Sequence, residues 1–310
     1  MALKQEAFVA TAQQVIPHTW PKIRKIAVLT DFSQNADTAL RFAAAFARGY
    51  AADIVLAHAY LPPSCAYVAP DVKLVYQSLD ASRKRWADKL LSKIEVTHLS
   101  DIKCAAVLHQ GTPKELLKEL GDVDLIVVGT SGAKGFEKAA LGSTAETIFR
   151  SSTVPVLTVG PNCRCHGPDA IVLNTILYAT DFSSASDFVL PYAFSIAREH
   201  YAHLVLLHVA HENDVPFSFD RAMAGAEPLE RLRKLVHVGA GLERQASYVV
   251  GFGTPAPQII QEAKNEQADL IVVGARGPSG LASAVSHLGG GTAYRVAADA
   301  DCPVLTIRHT

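Results

Sequence analysis

The sequence predicts an α/β protein made of two doubly wound, parallel-sheet domains. Three observations carry that expectation. Short runs of consecutive apolar residues, rich in β-branched side chains, alternate with longer amphipathic stretches, as strands buried on both faces alternate with crossover helices. The alternation is written twice, with five sequence blocks recurring in the same order. The chain is 310 residues long, about two domains of ~150 residues.

In the first copy the strand-like runs are Lys25–Thr30, Ile54–His58, Ala105–His109, Leu125–Gly129 and Pro155–Val159. Between the first two, 35–48 places Ala39, Leu40, Ala43, Ala44 and Ala47 at helical spacing, with Gly49 read as the stop. The stretch from Leu61 to about Ala81 carries Pro62-Pro63 and no clear pattern, and is read as a loop before a charged helix over 82–94. Thr112-Pro113 ahead of 114–120 is a cap followed by proline at the first helical position. Alternation of this kind implies right-handed crossovers.

The second copy reads likewise, from Thr175–Thr180 to Pro303–Ile307. Thr-Asp-Phe-Ser stands at 30–33 and 180–183, an offset of 150. Gly-Thr-Pro recurs at an offset of 142, Asp-Leu-Ile-Val-Val-Gly at 145 and Pro-Val-Leu-Thr at 148. Slowly drifting offsets put the insertions between blocks, where loops belong. The expected organisation is residues 1–160, a linker at 161–171 with two prolines and a glycine, and residues 172–310.

Composition narrows the function classes. A net charge of −1, from 29 basic and 30 acidic side chains, removes the basic field expected of a nucleic-acid binder. The basic stretch Arg83-Lys84-Arg85 beside Trp86 is therefore read as a solvated helix face. No apolar run approaches the ~18 residues of a membrane helix. The first twenty residues, interrupted by Lys4 and Glu6, lack the apolar core of a secretory signal. Five scattered cysteines fit a reducing compartment, so a cytoplasmic protein is expected. Cys163-x-Cys165-His166 offers at most three metal ligands and is read as linker.

The chemistry concentrates at strand ends, where open α/β sheets bind ligands. The fourth run ends in Val128-Gly129-Thr130-Ser131-Gly132, and after nine more residues Gly142-Ser143-Thr144 opens a helix pattern. Glycines let backbone N–H groups approach phosphate oxygens, and a helix N-terminus adds unpaired donors and partial positive charge. Asp31, at the end of the first run, can accept from an adenine amine or a ribose hydroxyl, or it can cap the following helix. His58 and His208 end equivalent strands and read as hydrogen-bonded strand-end histidines.

The pattern G-x2-G-x9-G-S at Gly129, Gly132, Gly142 and Ser143, with TDFS after a first strand and a terminal PVLTV, resembles the universal stress protein family, twice over, across about 22–160 and 172–308. The resemblance implies a Rossmann-like, adenine nucleotide alpha hydrolase-like five-stranded sheet per domain. It implies intramolecular pairing of the domains through Pro155–Val159 and Pro303–Ile307, leaving any homodimer to other surfaces. It also implies ATP binding (or ADP or AMP), with Mg2+ as an accompanying ion. The implied ligands are Thr30 and Asp31, the backbone of Leu56 and Ala57, Val128, and Gly129, Gly132, Gly142, Ser143 and Thr144.

The second copy offers Thr180, Asp181, Val273, Gly274, Gly277, Gly290, Gly291 and Thr292, but twelve residues separate Gly277 from Gly290 and glycine replaces the serine. Arg276 is a cation that can partly compensate. The first copy is expected to bind ATP and the second to bind weakly or hold another nucleotide. Walker, G-x-G-x-x-G, G-x-S-x-G and H-E-x-x-H patterns are missing, and no catalytic residue is named. A nucleotide-responsive regulatory protein is the leading reading. A slow Mg2+-dependent ATPase and a nucleotide-free scaffold are the alternatives.

Overall fold

The computed structural model describes residues 23–62, 70–130, 141–163, 172–210, 224–236, 246–276 and 291–309. In chain order the first copy contains β1 (Lys25–Leu29), α1 (Gln34–Tyr50), β2 (Asp53–Tyr60), α2 (Pro70–His98), β3 (Cys104–Gln110), α3 (Pro113–Glu119), β4 (Leu125–Gly129), α4 (Ser143–Ser151) and β5 (Val156–Val159). The second contains β6 (Thr175–Thr180), α5 (Ser184–Glu199), β7 (His203–Ala210), α6 (Ala226–Leu235), β8 (Ala246–Phe252), α7 (Pro255–Asn265), β9 (Leu270–Arg276), α8 (Thr292–Asp299) and β10 (Val304–His309).

The strands form one ten-stranded sheet in the order β3-β2-β1-β4-β5-β10-β9-β6-β7-β8. Pairing is parallel within each half, and β5 meets β10 antiparallel with Leu157 opposite Leu305. Each half is doubly wound. The chain leaves β1 toward β2 and β3 on one side, then returns to β4 on the other. That reversal opens a crevice beyond the carboxyl ends of β1 and β4.

Alternate strand residues bury on opposite faces, which is why the runs are apolar at consecutive positions. Ile26 and Val28 join a core with Ala39, Phe42 and Phe46 of α1 and Val189 and Phe194 of α5. Ala27 and Leu29 join a second core with Leu116 of α3, Ile148 of α4, Ile259 of α7 and Val296 of α8. Each core runs through both copies.

Three local readings are corrected. The stretch read as an unpatterned loop to about Ala81 is helical from Pro70. Leu74, Val75 and Leu79 point to solvent, at 69%, 57% and 50% exposure, so no buried stripe marks the turns that precede Ala87 and Leu91. Gly49 does not stop α1, which runs on to Tyr50. Ala51 takes the left-handed conformation instead (φ 51°), and its N–H returns to the Ala47 carbonyl. Strand β2 extends beyond His58 to Tyr60 because its pairing with β3 continues to Gln110. The cap at Thr112 stands as read, as a reciprocal capping box with Glu115.

Candidate functional site

At the crevice the Thr-Asp-Phe-Ser turn is held by three successive side-chain to backbone hydrogen bonds. Thr30 Oγ1 accepts from Phe32 N–H (3.0 Å), Asp31 Oδ1 from Ser33 N–H (3.0 Å) and Ser33 Oγ from Ala36 N–H (3.2 Å). Phe32 takes a left-handed conformation (φ 60°), and Phe182 does the same in the second copy (φ 56°). The helix cap is therefore Ser33, and Asp31 shapes the turn before it. Thr30 N–H donates to the Ala57 carbonyl at 3.0 Å, tying β1 to β2 at its end.

His58 lies behind this turn. A carbonyl can only accept, so its Nδ1 carries the proton donated to Thr30 O at 2.7 Å. Its ring packs against Phe32 with centroids 4.5 Å apart. Burial holds its pKa below the usual value, so the ring is neutral there. His208 repeats the arrangement with Thr180 O at 2.9 Å and Phe182 at 4.5 Å. Both are hydrogen-bonded histidines as read from the sequence, but each lies two residues before the end of its strand.

Across the crevice, β4 delivers Val128 and Gly129. A Cβ at Gly129 would meet Asn35 O at 3.0 Å, Asn35 C at 3.1 Å and Ala36 N at 3.3 Å, so the absent side chain lets α1 start directly over the strand end. Gly274 does the same beneath Ala185, with a Cβ position 2.9 Å from its carbonyl oxygen. After Thr130, Gly142 N–H donates to Thr130 O at 2.6 Å and α4 begins. Gly142 is its N-cap and supplies no side-chain hydrogen bond, whereas α1, α3 and α5 are capped by Ser33, Thr112 and Ser183. The first-turn amides of α4 thus lack the side-chain partner that α1, α3 and α5 supply, as do those of α6, α7 and α8.

These elements line a small open cleft. Thr30, Asp31, Val128, Gly129, Gly142, Ser143 and Thr144 all line it. So do Leu29, Ala36 and Ala145, which sequence reasoning passed over and which only their positions beside TDFS and Gly-Ser-Thr could have marked. Leu56 and Ala57 do not line it. Both are fully buried in β2, and the Ala57 carbonyl is taken by Thr30. Gly132 lies outside the described residues.

The second copy differs in one polar atom that matters. Ser186 stands where the first copy has Ala36, and its hydroxyl donates to Asp181 Oδ1 at 2.7 Å. The same oxygen accepts from Ser183 N–H at 3.0 Å and from the Ser183 hydroxyl. Thr180 and Val273 are buried beside it. Gly291 caps α8 without a side chain, and Thr292 opens that helix. Gly277, Gly290 and the Arg276 side chain lie outside the described residues, as do Cys165 and His166. Cys163 is a free thiol buried in the core, its Sγ accepting from Gly160 N–H at 3.2 Å. Among the described residues, no group of three His, Cys, Asp or Glu side chains is placed to hold a metal ion. No described helix is long and apolar enough to cross a membrane.

Comparison with known proteins gives concordant results. The model of the universal stress protein family matches residues 22–160 and 173–308. A universal stress protein of Mycolicibacterium smegmatis is 27% identical over 295 residues, covering 91% of this chain and 96% of its own. One from Thermus aquaticus is 33% identical over 141 residues, 44% of this chain and 100% of its own. Among solved structures, a universal stress protein from Archaeoglobus fulgidus aligns with a TM-score of 0.64 at 19% identity, over 93% of this chain and 100% of that one. A functionally unknown protein from Pseudomonas aeruginosa aligns at 0.59 and 17% identity, over 92% of each chain. At those identities the structures show the shared fold.

Proposed function

The chain belongs to the universal stress protein family, and from that premise we propose that it is a cytoplasmic, adenine-nucleotide-binding regulatory protein whose working site is the cleft of the first copy. The observation that carries this reading is the uncapped start of α4 at Gly142, facing Asp31 across the crevice. Each end of the cleft suits one end of a nucleotide. The amides and hydroxyls of Ser143 and Thr144 suit phosphate oxygens, by unpaired N–H groups and the positive end of the helix dipole. Asp31 suits ribose or adenine donors, and Leu29 and Val128 supply an apolar wall. ATP, ADP and AMP share these features. Mg2+, when it accompanies the phosphates, takes most of its oxygen ligands from them and from water.

The second copy is read as the weaker site. Its Asp181 Oδ1 already accepts three hydrogen bonds, so a ribose hydroxyl either displaces one of them or turns to the other carboxylate oxygen. The antiparallel seam of β5 and β10 supports the reading of the chain as an intramolecular pseudo-dimer that nucleotide can bias.

The test uses Gly142→Asp. The N-cap dihedrals (φ −58°, ψ 154°) suit any residue, and an aspartate there caps α4 itself with a negative charge. Calorimetric titration should give ATP binding at least about tenfold weaker, with an unchanged or raised melting temperature. Wild-type protein that neither releases adenine nucleotide on heat denaturation nor binds ATP refutes the reading. So does a variant that binds as tightly as wild type.

A further inference from the structure

The helix that faces the cleft is held at both ends by the other half of the chain. At its start, the Leu141 N–H donates to Tyr294 Oη of α8 at 3.2 Å, one residue before the N-cap. The Leu141 side chain is 4% exposed, so this amide sits where water is a poor substitute partner. The Tyr294 ring packs edge-on to Phe149 of α4 with centroids 5.7 Å apart, and the Arg150 guanidinium sits over it at 5.4 Å. At the other end, Arg308 Nη2 of β10 donates to the Phe149 carbonyl at 2.7 Å, one of the last carbonyls of α4. A cation there complements the negative end of the helix.

The arrangement runs one way. At the offset of 148 that aligns Pro155 with Pro303, Tyr294 corresponds to Glu146, Arg308 to Gly160 and Phe149 to Ala297. Glu146 turns to Arg150 on its own helix, at 2.9 Å, and Gly160 has no side chain. Among the described residues, Glu146 and Gly160 return neither hydrogen bond to α8.

We propose that the second copy acts as a positioning subunit for the first: Tyr294 at the phosphate-facing start of α4 and Arg308 at its far end hold the helix in place, so residues that contribute no ligand set the nucleotide affinity of the first-copy cleft. The proposal rests on the nucleotide reading above for its ligand, and on the geometry of α4 alone for the clamp. Without the Tyr294 hydroxyl, the Leu141 amide is a buried donor with no partner, and the turn through Gly142 relaxes away from the geometry that presents the Ser143 and Thr144 amides.

The experiment compares wild type with Tyr294→Phe, which keeps the ring, and Arg308→Met, which keeps most of the stem. Two readouts are taken on the full chain: titration with ATP and hydrogen exchange of backbone amides without nucleotide. Tyr294→Phe should bind ATP about fivefold more weakly, the worth of one hydrogen bond, and Arg308→Met should weaken it similarly. Exchange at Leu141 should quicken about tenfold in Tyr294→Phe, while the amides of β1 and β4 keep their wild-type rates. Affinity of Tyr294→Phe within twofold of a nucleotide-binding wild type overturns the proposal. If wild type binds no adenine nucleotide, the nucleotide reading fails. Exchange at Leu141 then decides the clamp, and an unchanged rate overturns it.

Discussion

Replacing Gly129 by alanine separates two roles that the same residue could have. If the glycine serves only a ligand, alanine weakens binding and leaves the empty protein intact. The packing makes a different demand. The new Cβ would stand 3.0, 3.1 and 3.3 Å from three backbone atoms of Asn35 and Ala36, where ordinary carbon contacts begin near 3.4 Å. None of these atoms belongs to a side chain that can rotate away. The first turn of α1 has to lift, and with it the Ser33 cap and the cleft wall at Ala36. Overpacking of this kind costs about 1–3 kcal/mol. Reduced freedom of the unfolded chain offsets about 0.4–1 kcal/mol of that. A net loss of about 1–2 kcal/mol should lower the melting temperature of the nucleotide-free protein by roughly 2–8 °C. Gly274→Ala, with its 2.9 Å contact to the Ala185 carbonyl, should behave alike. Gly291→Ala is the control. Its Cβ meets nothing within 4 Å, so its melting temperature should stay within about 2 °C of wild type. The assay is thermal unfolding by circular dichroism on protein stripped of nucleotide. Gly129→Ala melting with wild type would refute the packing argument and return the glycine to the ligand alone.

Two further outcomes follow from the same geometry. Ala36→Ser in the first copy should build the hydroxyl contact that Ser186 makes to Asp181, and weaken ATP binding about fivefold by titration. Ser186→Ala in the second copy should instead raise its affinity, and no change in either variant would detach Asp31 and Asp181 from nucleotide binding. Burial lowers the folded-state pKa of His58 below the unfolded value of 6.5, so the unfolded chain takes up the proton first. The stability His58 contributes is complete above about pH 6.5 and is lost as pH falls from there through the lower folded value. His58→Asn, which supplies a neutral N–H donor to Thr30, should flatten that acid slope in urea titrations between pH 7 and 5; an unchanged slope would assign it to other groups.

Much of this architecture could be read from residue order, because the inner strands are covered on both faces and read as unbroken apolar runs, while the edge strands β3 and β8 are only half-buried. The duplicated blocks did more than any one motif, since they gave the strands that frame the crevice an independent second reading. What escaped had physical reasons. The first turns of α2 carry Leu74, Val75 and Leu79 outward, and periodicity is informative only when one face is buried. Ala51 takes over the left-handed cap that Gly49 suggested, a choice settled by tertiary fit. At the cleft, the motif named most of the lining but not the reason for each residue. Gly129 is small because α1 presses on it, and Ser33 is the cap that TDFS left undecided. The contacts of Tyr294 and Arg308 to α4 were beyond sequence reasoning, because they join residues 153 and 159 positions apart.

Duplication explains why such one-way contacts can exist. In a symmetric pair of identical chains, any side chain that props the partner's α4 also props its own counterpart, and the two sites change together. Once both copies lie in one chain, each position can drift alone. Here the differences fall on two sides of the seam. The second copy carries Ser186, which bonds its own aspartate, and Tyr294 and Arg308, which brace the other copy's helix. The first copy has Ala36, Glu146 and Gly160 at those positions, and among the described residues these three make no such contact. A site losing function by neutral decay would shed contacts at its own residues without gaining any across the seam. Contacts across the seam, combined with a carboxylate oxygen already engaged at home, favour a division of labour in which one copy binds and the other holds the binding helix in place.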